Sequence, residues 1–263
     1  MQFLEDDNKA LLALEKLFLK LKQQPHSLQQ TFDQLVQDHI TSAEKSATQD
    51  LRDAAAQIIQ VMEEDHLKKI AHQTLPNYHN IEHTQEVLIA LGILLSEEKK
   101  LQAPAWKVFS GRETCLLLVA TLSHDFLHPG GVNRTAREFE LLAVNAASTI
   151  LKAYKLSSKE LSWFRELILA TDFEHVKTLH QHYQKNISTP STLTQAQILL
   201  TEADILASVL PHHGVQLATR LVTEFKKVGV PNAAAMATPA GRQRFLEKVS
   251  FSSPHAQSLG LIL

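Results

Sequence analysis

Cysteine and long apolar stretches are scarce in this sequence, and both absences exclude classes of protein. The one cysteine, Cys115, cannot form a disulfide within the chain and lies in the apolar run CLLLV, which indicates a buried, inert thiol in a reducing compartment. No apolar run approaches the roughly 18 residues of a membrane span. The amino terminus lacks the basic and apolar regions of a secretion signal. We therefore expect a cytoplasmic protein that has no membrane partner.

An excess of charge of one sign is also lacking. The 26 Lys and Arg nearly balance the 28 Asp and Glu, the formal net charge is −2, and no dense basic block is present. A surface of this kind does not favour binding to nucleic acid or to an anionic membrane, so we expect no nucleic-acid partner. The unusual feature is histidine, which occurs 14 times and often in short clusters.

Glycine and alternating β-branched runs are too few for a sheet protein, with only 8 glycines in 263 residues. Helical periodicity extends along most of the chain and predicts an all-α fold, a compact multi-helix bundle. The first sixty-odd residues are poor in histidine. We therefore expect residues 1–60 to form a helical N-terminal appendage packed on a catalytic domain, residues 61–263.

Several helix ends carry recognisable signals. Asn80 fits the N-cap of a helix that runs to about residue 98. Ser157 and Glu160 have the spacing of a capping box. The stretch 229–241 is rich in proline and alanine and is typical of a loop.

Four segments combine metal-ligating residue types with apolar surroundings. They are YHNIEH at 78–83, SHDFLHPG at 123–130, ATDFEH at 170–175 and EAD at 202–204. Imidazole suits Zn, Mn and Fe, whereas carboxylate suits Mg and Mn. A mixed set of these groups therefore indicates a hydrolytic metal site and not a thiolate structural zinc.

The adjacent pair His124–Asp125 is the most specific of these elements. It follows an apolar helix, where an aspartate without a partner costs several kcal/mol or takes up a proton. A bound cation removes this cost, and a hydrogen-bonded His–Asp pair in the core is the alternative. Taken singly, His83 also fits a core histidine, and Asp204 fits a surface carboxylate. The four segments together favour the metal site.

The order of these motifs resembles a known family. His83, the pair His124–Asp125 and Asp204 form the H…HD…D pattern of the HD superfamily of metal-dependent phosphohydrolases. The longer strings YHNxxH and HDxxHPGxxN are similar to the catalytic core of class I cyclic-nucleotide phosphodiesterases. This resemblance covers roughly residues 76–250 and implies an all-helical phosphoric ester hydrolase.

The resemblance also implies a role for individual residues. Two divalent ions (Mg, Mn, Zn or Fe) would activate water for hydrolysis, the second of them held largely by water. The ligands of the first ion would be His83, His124, Asp125 and Asp204, with Asp125 bridging to the second ion. His79 would be the general acid that protonates the leaving oxygen. The residues that orient ligands, waters or substrate would be Tyr78, Asn80, His128, Asn133, Asp172 and Phe245.

The sequence departs from that family where the family binds its purine. Family members read the purine with a glutamine and stack a phenylalanine on it three residues later. Our register places Phe245 at the stacking position and Arg242 at the position of the glutamine. Gln243 is one residue away, which on a helix turns it by about 100°. The resemblance therefore does not imply the identity of the base.

Three functions are compatible with these patterns. The first is hydrolysis of a small-molecule, cyclic-nucleotide-like phosphodiester. The second is an HD-type phosphatase acting on nucleotide monophosphates or other phosphorylated metabolites. The third is a degenerate HD fold kept for protein interaction, which the complete ligand set and His79 disfavour. Assembly into a homo-oligomer stays open.

Overall fold

The computed structural model describes residues 5–24, 27–98, 101, 106–185 and 190–261, and this part of the chain is all-helical, as predicted. No strand occurs within these ranges. Two short 3-10 helices, Lys45–Thr48 and Ala233–Ala237, accompany the α-helices of the described residues. These are α1 (Glu5–Lys22), α2 (Leu28–His39), α3 (Gln49–Ala71), α4 (Ile81–Glu97), α5 (Gly111–Ser123), α6 (Glu138–Ala153), α7 (Ser158–Leu169), α8 (Phe173–Lys185), α9 (Thr192–Val209), α10 (His213–Lys227), α11 (Pro239–Leu246) and α12 (Pro254–Ser258).

The local signals at helix starts are confirmed, but the predicted loop is wrong. Asn80 caps α4 by accepting a hydrogen bond from the Glu82 amide, and Ser157 closes the capping box of α7. The stretch 229–241 contains a 3-10 helix and the first turn of α11. Thr238 caps that turn through its hydroxyl, and Pro239 occupies the first helical position. Proline is favourable there because its missing N–H would have no helical partner.

Three helices form the centre of the bundle. In α4 every residue from Glu86 to Leu95 is buried, and in α5 burial is continuous from Thr114 to His124. Helix α9 packs against α4 and is buried almost all round. Between Ile198 and Leu210, only Asp204 and Ser208 are partly exposed. These two residues are four apart and therefore share one face of the helix, which is the face that meets the candidate site.

The N-terminal helices share the core of the remaining chain. The boundary expected after residue 60 falls inside α3, which is continuous from Gln49 to Ala71. Phe18 of α1 and Phe32 of α2 are fully buried and belong to the same hydrophobic cluster as Leu91 of α4. Helix α2 packs directly on α4 and α5. The first helices therefore support the elements that carry the candidate metal ligands.

Phe32→Ala is expected to lower the free energy of unfolding by about 3–5 kcal/mol, the cost of removing a large side chain from a packed core. Phe32 has no solvent exposure. Urea titration followed by circular dichroism measures the change. Leu17→Ala is the control, because Leu17 is 42% exposed and should cost less than about 1 kcal/mol. Equal, small losses would contradict a shared core.

Two expectations from composition concern the thiol and the membrane. Cys115 is buried in α5, as predicted, and burial raises the pKa of its thiol to about 12. A thiol of this kind is poorly nucleophilic. None of the described helices combines the length with the apolar character that a membrane span needs.

Candidate metal centre

Four side chains predicted as ligands come together from the three central helices. His83 lies in the first turn of α4, directly after the Asn80 cap. His124 is the C-cap of α5, and Asp125 follows it. Asp204 projects from the partly exposed face of α9. We call His83, His124, Asp125 and Asp204 the four-residue cluster.

The two carboxylates of this cluster each approach both imidazoles. His83 Nε2 lies 3.2 Å from Asp204 Oδ1 and 3.4 Å from Asp125 Oδ2. His124 Nε2 lies 3.4 Å from each of the same two oxygens. Ligand atoms of His83, His124 and Asp125 all fall within 4.8 Å of one another. A set of two nitrogen and two oxygen donors at this spacing matches a divalent first-row cation.

His124 is oriented as a metal ligand would be. His124 Nδ1 lies 2.8 Å from the carbonyl oxygen of Thr121. A carbonyl only accepts, so Nδ1 carries a proton and Nε2 is the ring atom that faces the cluster. That buried Nε2 has no hydrogen-bond partner in the described part of the protein. A buried polar atom without a well-aligned partner is costly, and a cation bound in place of the Nε2 proton would satisfy it.

The charges of the cluster also fit a cation. Burial of Asp125 and Asp204 opposes their ionisation, but the surrounding imidazoles, His124 foremost, lower both pKa values. Burial of His124 opposes its protonation, yet the two carboxylates outweigh burial and raise its pKa. The site thus concentrates negative charge that needs a compensating positive charge. A divalent cation supplies that charge and displaces the proton.

His79 is held beside the cluster by a residue that the sequence did not reveal. Its Nδ1 lies 2.5 Å from Glu224 Oε1 on α10. Glu224 Oε2 accepts hydrogen bonds from the backbone amides of Tyr78 at 2.8 Å and of His79 at 3.1 Å. Its Oε1 also accepts from the Gly131 amide at 3.0 Å. Glu224 therefore fixes both the backbone and the ring of His79.

This pairing sets the protonation of three groups. Burial raises the pKa of Glu224, but the hydrogen bond from His79 outweighs it and lowers the value to about 2. Burial lowers the pKa of His79, but the Glu224 bond and the field of Asp125 raise it overall. His128 stacks on His79 with 4.0 Å between ring centroids, and burial together with His79 lowers its pKa to about 3. His79 is thus the more readily protonated imidazole of the stacked pair, and His128 is neutral near neutral pH.

The cleft beside the cluster is partly built by α3. This cleft, about 30 Å³, is lined by Asp65, His66 and Lys69 together with His79 and Asp125. Lys69 donates to the His128 carbonyl at 3.0 Å and pairs with Asp65 at 2.7 Å. This part of α3 was not predicted to be near the site, because its ligand-type residues follow no spacing that is typical of one.

The remaining predicted residues divide into those near the cluster and those apart from it. The ring of Tyr78 packs on His83 at 4.6 Å, and Asn80 lines the cleft as well as capping α4. Asn133 accepts from the Phe139 amide and donates to Glu140, so it organises the start of α6.

Asp172 and Phe245 make their contacts away from the four-residue cluster. Asp172 is buried between α7 and α8, where it accepts from the Arg137 amide and contacts His175 Nδ1, both at 3.0 Å. Phe245 lies in a separate cavity beside Phe173. No contact of either residue with the cluster is observed among the described residues.

Two acidic residues near the site were missed by sequence reasoning. Glu224 sits in the string TEFKK, which looks like the solvated end of a surface helix, yet it is only 2% exposed. Glu140 lies on α6, and burial raises its pKa, with Asp172 and Asp125 adding to the effect. No local pattern distinguishes either residue from a surface glutamate, so only the packing of α6 and α10 identifies them.

Comparison with known proteins does not place the chain in a family. No protein-family model matches it, and no curated protein matches it either.

Proposed function

We propose that this protein is a metal-dependent phosphoric ester hydrolase of the HD type, acting first on a cyclic-nucleotide-like phosphodiester. The observation that carries the proposal is the four-residue cluster, in which the buried Nε2 of His124 lies 3.4 Å from two carboxylate oxygens and has no well-aligned hydrogen bond among the described residues. The motif order and the paired His79 and Glu224 support the same assignment.

The cluster fits the first of two divalent cations. His83, His124, Asp125 and Asp204 would hold it, and Asp125, which also lines the cleft, would face the second. When bound, such cations neutralise phosphoryl oxygens and lower the pKa of a coordinated water. Thr121 contributes by keeping the His124 ring in the ligating tautomer.

His79 would act as the general acid. An alkoxide leaving group needs a proton, and a protonated imidazole can donate one at neutral pH. Glu224 accepts from Nδ1, which leaves Nε2 to face the leaving oxygen. Glu224 therefore acts through His79, as a positioning residue that also favours its protonated form.

Two alternatives need different experiments. A phosphatase acting on nucleotide monophosphates would use the same cluster on a monoester. A degenerate fold kept for protein interaction would bind no catalytic metal. Hydrolysis of bis(4-nitrophenyl) phosphate, compared with 4-nitrophenyl phosphate, separates diester from monoester activity, and metal analysis of the purified protein addresses degeneracy.

Removal of metal should abolish hydrolysis and destabilise the fold. A cation at about 100 times its dissociation constant stabilises the folded state by about 2.7 kcal/mol, which corresponds to a rise in Tm of roughly 5–10 °C. We expect chelator-treated protein to lose its activity and to have a Tm that is lower by this amount. Addition of Mn or Mg should restore both, as measured by diester hydrolysis and differential scanning fluorimetry.

A matched pair of variants tests whether the cluster is the metal site. Asp204→Asn keeps the shape of the side chain but removes a ligand charge, and we expect it to lose bound metal and activity. Asp53→Asn, on the exposed face of α3, should retain both. Full activity in excess chelator, or wild-type metal content in Asp204→Asn, would refute the proposal.

A further inference from the structure

A second cavity, of about 340 Å³, is lined by none of the four cluster residues but reaches Tyr78, whose ring packs on His83. Tyr78 and Ser208 line it, and the Tyr78 hydroxyl lies 3.1 Å from Ser208 Oγ. Both residues are also close to the cluster. The Tyr78 ring packs on His83, and Ser208 lies one helical turn after Asp204. A ligand that spans Tyr78 would therefore reach from the cluster to this cavity.

Two aromatic rings form part of its wall. Phe173 from α8 and Phe245 from α11 are nearly parallel, with 14° between their planes and 6.3 Å between their centroids. Phe173 is 41% exposed although it is a large apolar side chain. Apolar residues of α10, such as Leu217 and Leu221, also line the cavity. Such walls suit a flat, apolar part of a ligand.

The polar lining of this cavity is cationic. Arg242, Arg244 and Lys248 all line it, and no aspartate or glutamate does so among the described residues. Arg242 donates to two backbone carbonyl oxygens, those of Ser208 and Leu210, and lies over the Phe245 ring. These contacts fix the guanidinium at the cavity wall without neutralising its charge.

Among the described residues, the charge of Arg242 has no close acidic partner. Within the described ranges, no carboxylate oxygen forms an ion pair with it. The field of Glu15 reaches it, but that carboxylate accepts hydrogen bonds from the amides of His212 and His213. A partly buried cation of this kind is stabilised when an anion binds it.

The position of Arg242 depends on a glycine. A Cβ added to Gly214, at the start of α10, would lie 2.5 Å from an Arg242 guanidinium nitrogen and 2.3 Å from the Ser208 carbonyl oxygen. Only glycine lets the start of α10 approach the end of α9 this closely and still leaves room for the guanidinium. The fold therefore builds this site and does not merely leave an arginine at the surface.

We infer that this cavity binds a second negatively charged group of the substrate. The substrate class would be a phosphoester whose organic part contains a flat ring and carries a further anion, held by Arg242 with Arg244 and Lys248. The inference rests on the proposed hydrolase function and names the substrate of that same site. Arg242 would be a specificity-determining residue that does not touch the reacting atoms.

Matched phosphonates test whether the cavity binds a second negatively charged group. They are not turned over, because their C–P bond is not hydrolysed. Phenylphosphonate and 4-carboxyphenylphosphonate differ by one carboxylate, and the corresponding biphenyl pair extends the reach by a second ring. Titration calorimetry with Mn-loaded protein measures the affinities. We expect the carboxylated member of at least one pair to bind about tenfold more tightly, the size of one charge-assisted hydrogen bond. The same titrations on chelator-treated protein measure the affinity of the cavity for each probe when no metal is bound.

Two sets of variants distinguish binding in the cavity from a general effect of positive charge on the protein surface. Arg242→Met should remove most of the preference for the carboxylated probe, whereas Arg165→Met, at an exposed position of α7, should retain it. Because Arg242 also joins α9 to α11, a double variant, Arg244→Met with Lys248→Met, provides a second test at exposed positions. It should weaken the preference without affecting folding.

The outcomes distinguish this inference from the proposed function. Equal affinities within both probe pairs, in protein that binds Mn and hydrolyses an activated diester, would overturn the inference and leave the hydrolase standing. A preference that survives in both Arg242→Met and the double variant would also overturn it. Absence of Mn binding and of hydrolysis would refute the hydrolase itself, and the inference with it.

Discussion

His79→Ala should lower the rate of diester hydrolysis by roughly 10²–10⁴-fold while metal content stays near wild type, because the variant loses a general acid and no ligand. The nearest carboxylate to its ring is Glu224, at 2.5 Å. His83→Ala should instead lose metal and activity together, since His83 Nε2 lies 3.2 Å from Asp204 Oδ1. Metal analysis and steady-state kinetics on both variants measure this difference.

An activated substrate provides the control for the acid role. A 4-nitrophenyl diester has a leaving group that hardly needs a proton, so the loss in His79→Ala should shrink with it. The loss in His83→Ala should be similar for activated and ordinary esters. Equal losses in His79→Ala on both esters, with metal retained, would remove His79 from the acid role. Loss of metal in this variant would make it a ligand.

Glu224→Gln should reduce the rate by a comparable factor, roughly 10²–10⁴-fold, because an orienting carboxylate behind a catalytic histidine contributes at this level. Glu224 accepts from the amides of Tyr78, His79 and Gly131 as well as from His79 Nδ1. A glutamine has one acceptor oxygen, so its NH₂ group must face at least one of these donors. Metal content should not change, and Glu64→Gln, exposed on α3, should behave as wild type.

The pH profile of the same variant gives a second readout. In the wild-type protein, burial lowers the pKa of His79, but Glu224 and the neighbouring carboxylates raise it overall. The acid must be protonated, so kcat/KM should fall as pH rises through the pKa of His79. Removing the charge of Glu224 lowers that pKa, and the alkaline limb should move to lower pH. An alkaline limb at the same pH in wild type, Glu224→Gln and His79→Ala would show that another group titrates.

Local sequence was sufficient for the all-α fold and for the four residues that form the cluster. The apolar run before His124 determines that its helix is buried, and burial forces the polar pair at its end to find a partner. Asn80 determines where α4 begins, because a capping side chain satisfies free amides at the first turn, and this places His83 toward the cluster. These features depend on residues a few positions apart, so their spacing is visible in the sequence.

Only the tertiary structure decided which distant residues complete the site. Glu224 reaches His79 from α10, and Phe173 meets Phe245 across α8 and α11. The stretch 229–241, predicted as a loop, contains a 3-10 helix and the start of α11, and α11 holds Arg242 against the end of α9. The free energy of such contacts comes from burial and hydrogen bonds between helices far apart in sequence. A glutamate or arginine carries no local pattern that distinguishes a buried position from a solvated one, because its environment is created by the packing of the whole bundle.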